Sequence, residues 1–221
     1  MTKAALYRRV ALLRGQWGLA EESCPFNVPA FLPQVLPLKV QRQSFETAGL
    51  CGLAFLGPRQ DTIILNSART PAQQNFDCAH EAIHLALHRS ALPELLHCFE
   101  TPRKSTLPAL EWQANTGAAE LLVPYRLFLP LVKQALPQLA KTPGGIYALR
   151  QDMAERFAVP EATIAFRFED LRYELYQYLQ GTPLDALVFL SAAQQKKRGI
   201  SVPSMAHFGN LRIKGGLSIS M

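Results

Sequence analysis

A chain of 221 residues, 48% hydrophobic and 18% charged, can bury one large core or a core with a small appendage. That composition excludes a disordered chain, and with no run of about 18 apolar residues no membrane-spanning helix is expected. The net charge of +6 is spread along the chain, so it points only weakly to an acidic partner or nucleic acid.

Cys24, Cys51, Cys78 and Cys98 make no C-x-x-C pair and have mostly apolar neighbours, which predicts free thiols in a reducing compartment. Lys3, Arg8, Arg9 and Arg14 lie in an N-terminal stretch with no continuous apolar core and no small-residue cleavage site. It does not read as a signal peptide, so a cytoplasmic protein is expected.

In chain order, residues 2 to 17 place Ala5, Leu6, Val10, Leu12, Leu13 and Trp17 largely on one face of an amphipathic helix. Pro25, Pro29, Pro33 and Pro37 break residues 24 to 38 into loop, with one helical turn at most. Short strands are expected at Leu38 to Gln41, Leu50 to Leu56 and Thr62 to Leu65, with a turn at Gly57-Pro58. A helix follows from Pro71 to His88, started by Thr70-Pro71 and buried through Phe76, Ala79, Ile83, Ala86 and Leu87. Residues 89 to 106, with Pro93, Pro102 and Arg103-Lys104, predict a surface loop. A second strong helix runs from Leu107 to Leu122 and stops at Pro124, and two or three more fill residues 125 to 180. In the tail, alternation from Leu211 to Ile219 predicts one hairpin.

The Pro71 to His88 helix contains His80-Glu81-Ala82-Ile83-His84, an H-E-x-x-H sequence. Helical positions four apart share a face about 6 Å apart along the axis, so both imidazoles can reach one metal ion. Glu81 is then near enough to take a proton from water at that ion, the arrangement of zinc-dependent (Zn2+) hydrolysis. A catalytic zinc normally has three protein ligands. The best third candidate is Glu111 on the second helix, with Asn115 one turn on and placed to hydrogen-bond the outer nitrogen of a ligand histidine. His88, one turn past His84, and the His97-Cys98 pair are rivals. For an oxyanion donor, His97, Tyr125 and Tyr173 are all available.

Several blocks resemble the ImmA/IrrE family of zinc metallopeptidases: Asn66-Ser67, Gln74 to Ala79 running into the motif, Glu111 with Ala114-Asn115, and Ala118 to Pro124. The similarity covers about residues 35 to 170. It implies an α+β fold: a mostly helical, zincin-like core with a small β-sheet, followed by a helix pair resembling a helix-turn-helix. The corresponding division is 1–140 for the peptidase-like domain, 141–180 for the helical part and 181–221 for the tail. The resemblance also implies zinc on His80, His84 and Glu111, Glu81 as the base, a structural role for Glu120, and a protein substrate, typically a helix-turn-helix repressor of a phage, mobile element or stress response. Two departures stand out. Thr116-Gly117 replaces an aromatic position, and Ala82-Ile83 replaces a pair that more often contains Gly.

Residues 148 to 170 fit two short helices joined by a tight turn, with Leu149, Met153, Phe157, Val159, Ile164 and Phe168 apolar. As a DNA reader, this pair would use Thr163 and Arg167 in the major groove. Glu161, Glu169 and Asp170 oppose that, since groove readers need a concentrated basic face, so a structural or protein-docking pair is preferred. Lys196-Lys197-Arg198 reads as a solvated stretch. The alternative to a peptidase is a zinc-containing regulatory protein that binds a repressor or DNA without cutting it; a peptidase belonging to a toxin–antitoxin-like pair would share the chemistry.

Overall fold

The computed structural model describes residues 1–20, 22–91, 95–99, 107–139 and 145–203. Helix α1 (Lys3–Gln16) leads to α2 (Val28–Val35) and then to strands β1 (Leu38–Gln43), β2 (Leu50–Phe55) and β3 (Asp61–Asn66). Helix α3 (Pro71–Leu87) follows, then β4 (Leu95–Phe99) and the helices α4 (Pro108–Leu122), α5 (Tyr125–Leu139), α6 (Gly145–Phe157), α7 (Glu161–Asp170), α8 (Arg172–Leu179) and α9 (Ala192–Lys197). The fold is α+β: a helical body carrying one four-stranded sheet of order β1-β3-β2-β4. β1 and β3 are parallel, whereas β2 is antiparallel to both β3 and β4.

Two expectations need correction. Part of the segment expected to be surface loop is the edge strand β4, whose apolar Leu95-Leu96 pairs in register with Phe55 and Ala54. The Pro-rich stretch holds a two-turn helix, α2, because Pro29 falls in its first turn, where a missing N–H costs nothing, and the Asn27 side chain caps it. The hairpin expected at 211 to 219 lies outside the described residues.

Helix α3 starts at a reciprocal capping box. The Thr70 side chain accepts from the Gln73 backbone, Gln73 answers to the Thr70 N–H, and Pro71 sets the first turn. Asn75 then pins α3 in place by accepting from Val28 N at 2.9 Å and donating to Phe26 O at 3.1 Å and Ala158 O at 3.0 Å. Packed against it, α4 is rich in small buried residues: Ala114, Thr116, Gly117, Ala118 and Ala119. A Cβ on Gly117 would stand 3.0 Å from Ile83 Cγ2, so the absence of that atom lets the two backbones approach. The two departures from the family pattern therefore meet each other: Ile83 fills the space that Gly117 vacates.

The six apolar residues expected to pack the α6–α7 pair are all buried in the shared core. Thr163 is also buried and Arg167 is 0% exposed, so neither is turned toward solvent as groove reading requires. Arg167 instead binds Glu120 of α4 at 2.5 Å. Glu120 also accepts from the Tyr125 N–H at the start of α5, so its role is to join three helices.

Candidate metal centre

His80 and His84 project from one face of α3 toward the first turn of α4, where Glu111 waits. The two Nε2 atoms are 3.1 Å apart. Glu111 Oε2 is 3.5 Å from His80 Nε2, and Oε1 is 3.5 Å from His84 Nε2. Both histidines are buried, while the Glu111 side chain keeps 37% exposure, so the cluster opens toward solvent on the carboxylate side.

The outer nitrogens are occupied. His80 Nδ1 lies 3.1 Å from Asn115 Oδ1. His84 Nδ1 lies 3.1 Å from His88 Nδ1, and His88 Nε2 is 3.4 Å from Gln113 Oε1. Gln113 donates its own amide to Ala109 O at 3.0 Å, which fixes which end is oxygen. His88 must then donate from Nε2 and accept at Nδ1, so His84 donates from Nδ1. When the rings are neutral, both Nε2 atoms are then left as lone pairs that face each other and a carboxylate.

Neighbouring lone pairs at 3.1 Å repel unless a cation stands between them. Two imidazoles and a carboxylate, with their outer nitrogens braced, form a donor set suited to zinc with one position open. The residues present fit the ion. Burial opposes positive charge on His80, but Glu111, Glu81 and Asn115 outweigh it and raise its pKa. The two rings hold the Glu111 carboxyl well below the usual carboxylate range, because a proton on the Nε2 of His80 or His84 is hydrogen-bonded by the carboxylate; a metal ion would take the place of that proton.

Glu81 is 1% exposed, and its Oε2 has no hydrogen-bond partner among the described residues. Burial pushes its pKa up, against the pull of His80 and His84. A cavity of about 390 Å³ reaches this wall, lined in part by His80, Asn115, Cys98, Asp77, Pro160 and Phe166. One side of the approach is thus built by α7.

Sequence reasoning left His88 as a rival ligand; the structure gives it to His84 as the partner of the outer nitrogen. Neither that contact nor Gln113 was foreseen, and the only available signal was the four-residue spacing from His84 to His88. Tyr125 packs against Tyr7 and Phe189 and lines a separate cavity. Tyr173 lies on α8. The backbone of His97 pairs with Leu53, and its side chain lies outside the described residues.

The model of the Peptidase M78 family, the IrrE N-terminal-like domain, matches residues 34–169, more than half of the chain. The chain belongs to that family. Membership points to a metallopeptidase and implies a metal ion. Among curated proteins no match is found. Among solved structures the chain is similar to a Mycobacterium tuberculosis transcriptional regulator, at 18% identity and a TM-score of 0.50. The match covers 76% of this chain and 47% of that one, so the chain spans about half the length of that regulator. A likeness at this identity concerns the fold. No described helix is long and apolar enough to cross a membrane.

Proposed function

We propose that the protein is a cytoplasmic zinc endopeptidase that cuts a protein target, a helix-turn-helix repressor of a phage, mobile element or stress response. The observation carrying this reading is the convergence of the two Nε2 atoms on Glu111 beside a buried Glu81 whose Oε2 has no hydrogen-bond partner among the described residues. His80, His84 and Glu111 would hold zinc, which supplies a Lewis acid that polarises a carbonyl and lowers the pKa of water. Asn115, and His88 backed by Gln113, keep the two rings in the ligating tautomer. Glu81 accepts the proton from the attacking water at its free oxygen and passes it to the departing amine. Its burial favours the protonated form and so brings it closer to neutral-pH acid–base work. The repressor target is supported by the family resemblance and by the regulator description of the solved neighbour.

That same description favours a second reading, a zinc-containing protein that binds a repressor or DNA without cutting it. One experiment separates the two. Purified parent and Glu81→Gln protein are mixed with a candidate repressor, with and without a chelator, and run on a gel. Discrete fragments are expected from the parent alone, with the variant slower by about 10²–10⁴-fold and still loaded with zinc. Fragments from both at equal rate would remove Glu81 as the base. Stable complexes with no fragments would favour the binding protein.

A further inference from the structure

Potential ligands continue along the same wall, past the histidines and onto the sheet. The β2–β4 register passes from Leu50 opposite Phe99 to Gly52 opposite Cys98, so Cys51 is the extra residue of a bulge. Bulges re-aim a side chain, and this one brings Cys51 to Cys98 on the neighbouring strand. Asp77, three residues before His80, meets both from α3. One ligand atom from each of Cys51, Asp77 and Cys98 lies within 4.8 Å of the others, and all three residues line the 390 Å³ cavity.

We propose that Cys51, Cys98 and Asp77 form a second, thiolate-containing cation site, separate from the histidine pair and suited to a borderline or soft divalent cation. Two sulfurs and a carboxylate are the donor chemistry of zinc and cadmium rather than of calcium or magnesium. Binding converts each thiol to a thiolate and releases its proton to solvent, and the cation balances the charge. Arg69 engages both oxygens of Asp77, Nε to Oδ2 at 2.6 Å and a terminal nitrogen to Oδ1 at 3.5 Å; each oxygen keeps a second lone pair, and the fork orients the carboxylate as an outer partner does. Cys98 also lies within 4.8 Å of His80 and Glu81. A cation here therefore sits against the proposed base. The site stands on its own residues, whether or not the protein cuts peptides.

Cobalt(II) titration of the whole metal-free chain tests it, because cobalt–thiolate bonds give a near-ultraviolet charge-transfer band that imidazole and carboxylate ligands do not. The parent is expected to show the band and to bind a second equivalent. Cys51→Ser/Cys98→Ser should lose both the band and that equivalent, yet retain the cobalt held by the histidines. His84→Ala/Glu111→Ala should keep the band. Asp77→Asn should weaken the band-forming step several-fold, a readout available even if the double cysteine variant fails to fold. A parent with no band, or a band that survives without Cys51 and Cys98, overturns the proposal. Failure of the histidine site appears differently, as no cobalt bound by the folded cysteine variant.

Discussion

Helix α4 has a charge cluster at each end, one open to solvent at Glu111 and one buried at Glu120. Near its N-terminus, Glu111 faces His80 and His84 across a cavity wall, with two lone pairs aimed at each other and a Glu81 oxygen unanswered. Near its C-terminus, Glu120 meets Arg167, which is also bound to the Tyr7 hydroxyl at 2.6 Å and to Asp170 at 3.1 Å. Lys3 extends that cluster to Asp170 and to Glu174. The two glutamates share a helix and shift in opposite directions. Glu111 is held well below the usual range by its histidines, while burial pushes Glu120 up to about 7 against the pull of Arg167. Where the protein supplies its own cations the cluster is structural; where imidazoles and carboxylates converge with no Lys or Arg paired to them among the described residues, the cluster is open to a cationic ligand.

Arg167→Met should break the structural half alone. Removing one partner of a buried network costs about 3–5 kcal/mol, read as a lower denaturation midpoint. Metal bound per folded chain should be unchanged; a parallel loss of metal would show that the two clusters are not separable. Gly117→Val attacks what they share, the α3–α4 contact. Overpacking against Ile83 should cost about 1–3 kcal/mol and also weaken metal binding, because Glu111 moves away from the histidines. Adding Ile83→Ala should restore part of both, with a coupling of about 0.5–3 kcal/mol in a double-mutant cycle. Strict additivity would mean that the two residues do not compensate one another.

How much of this was legible in the sequence follows from the range of each interaction. Local signals were enough for α3, whose Thr70-Pro71 start is the observed cap, and for β1 to β3, found within a residue or two of their expected bounds. The edge strand β4 was hidden because a five-residue run of apolar residues interrupted by His97, lying between prolines, looks the same in a loop; pairing with β2 decides it. The α+β class and the family could be read from motif blocks. At the centre, fixed helical offsets put His80, Glu81 and His84 on one helix and Glu111 with Asn115 on another, and the structure brings these two sets together. The His84–His88–Gln113 chain was beyond reach, since Gln113 meets His88 only through the crossing of two helices. The bulge that turns Cys51 toward Cys98 was equally invisible, because it depends on the register of two distant segments.

The smaller effects probe each cluster's finer structure. His88→Ala should leave His80, His84 and Glu111 in place but free the His84 ring to turn. Loss of such an outer partner lowers metal affinity by about 10–100-fold, measurable by competition with a chromophoric chelator. Denaturation should be far less affected than in Arg167→Met. An unchanged affinity would mean that the packing of α3 alone holds the ring.

On the structural side, Glu120 predicts a pH dependence of definite sign. Its carboxyl has an ordinary pKa of 4.5 and rises to about 7 on folding, so between these values the folded chain keeps a proton that the unfolded chain has released. Its contribution to stability is full below 4.5, falls as the pH rises toward 7, and is level above. Urea midpoints of the parent and Glu120→Gln, compared across that range, isolate it because every other titration occurs in both proteins. The stability of the parent relative to the variant should decline with rising pH, by no more than about 1.4 kcal/mol per pH unit. A relative gain instead would mean that Arg167 outweighs burial and holds Glu120 ionised.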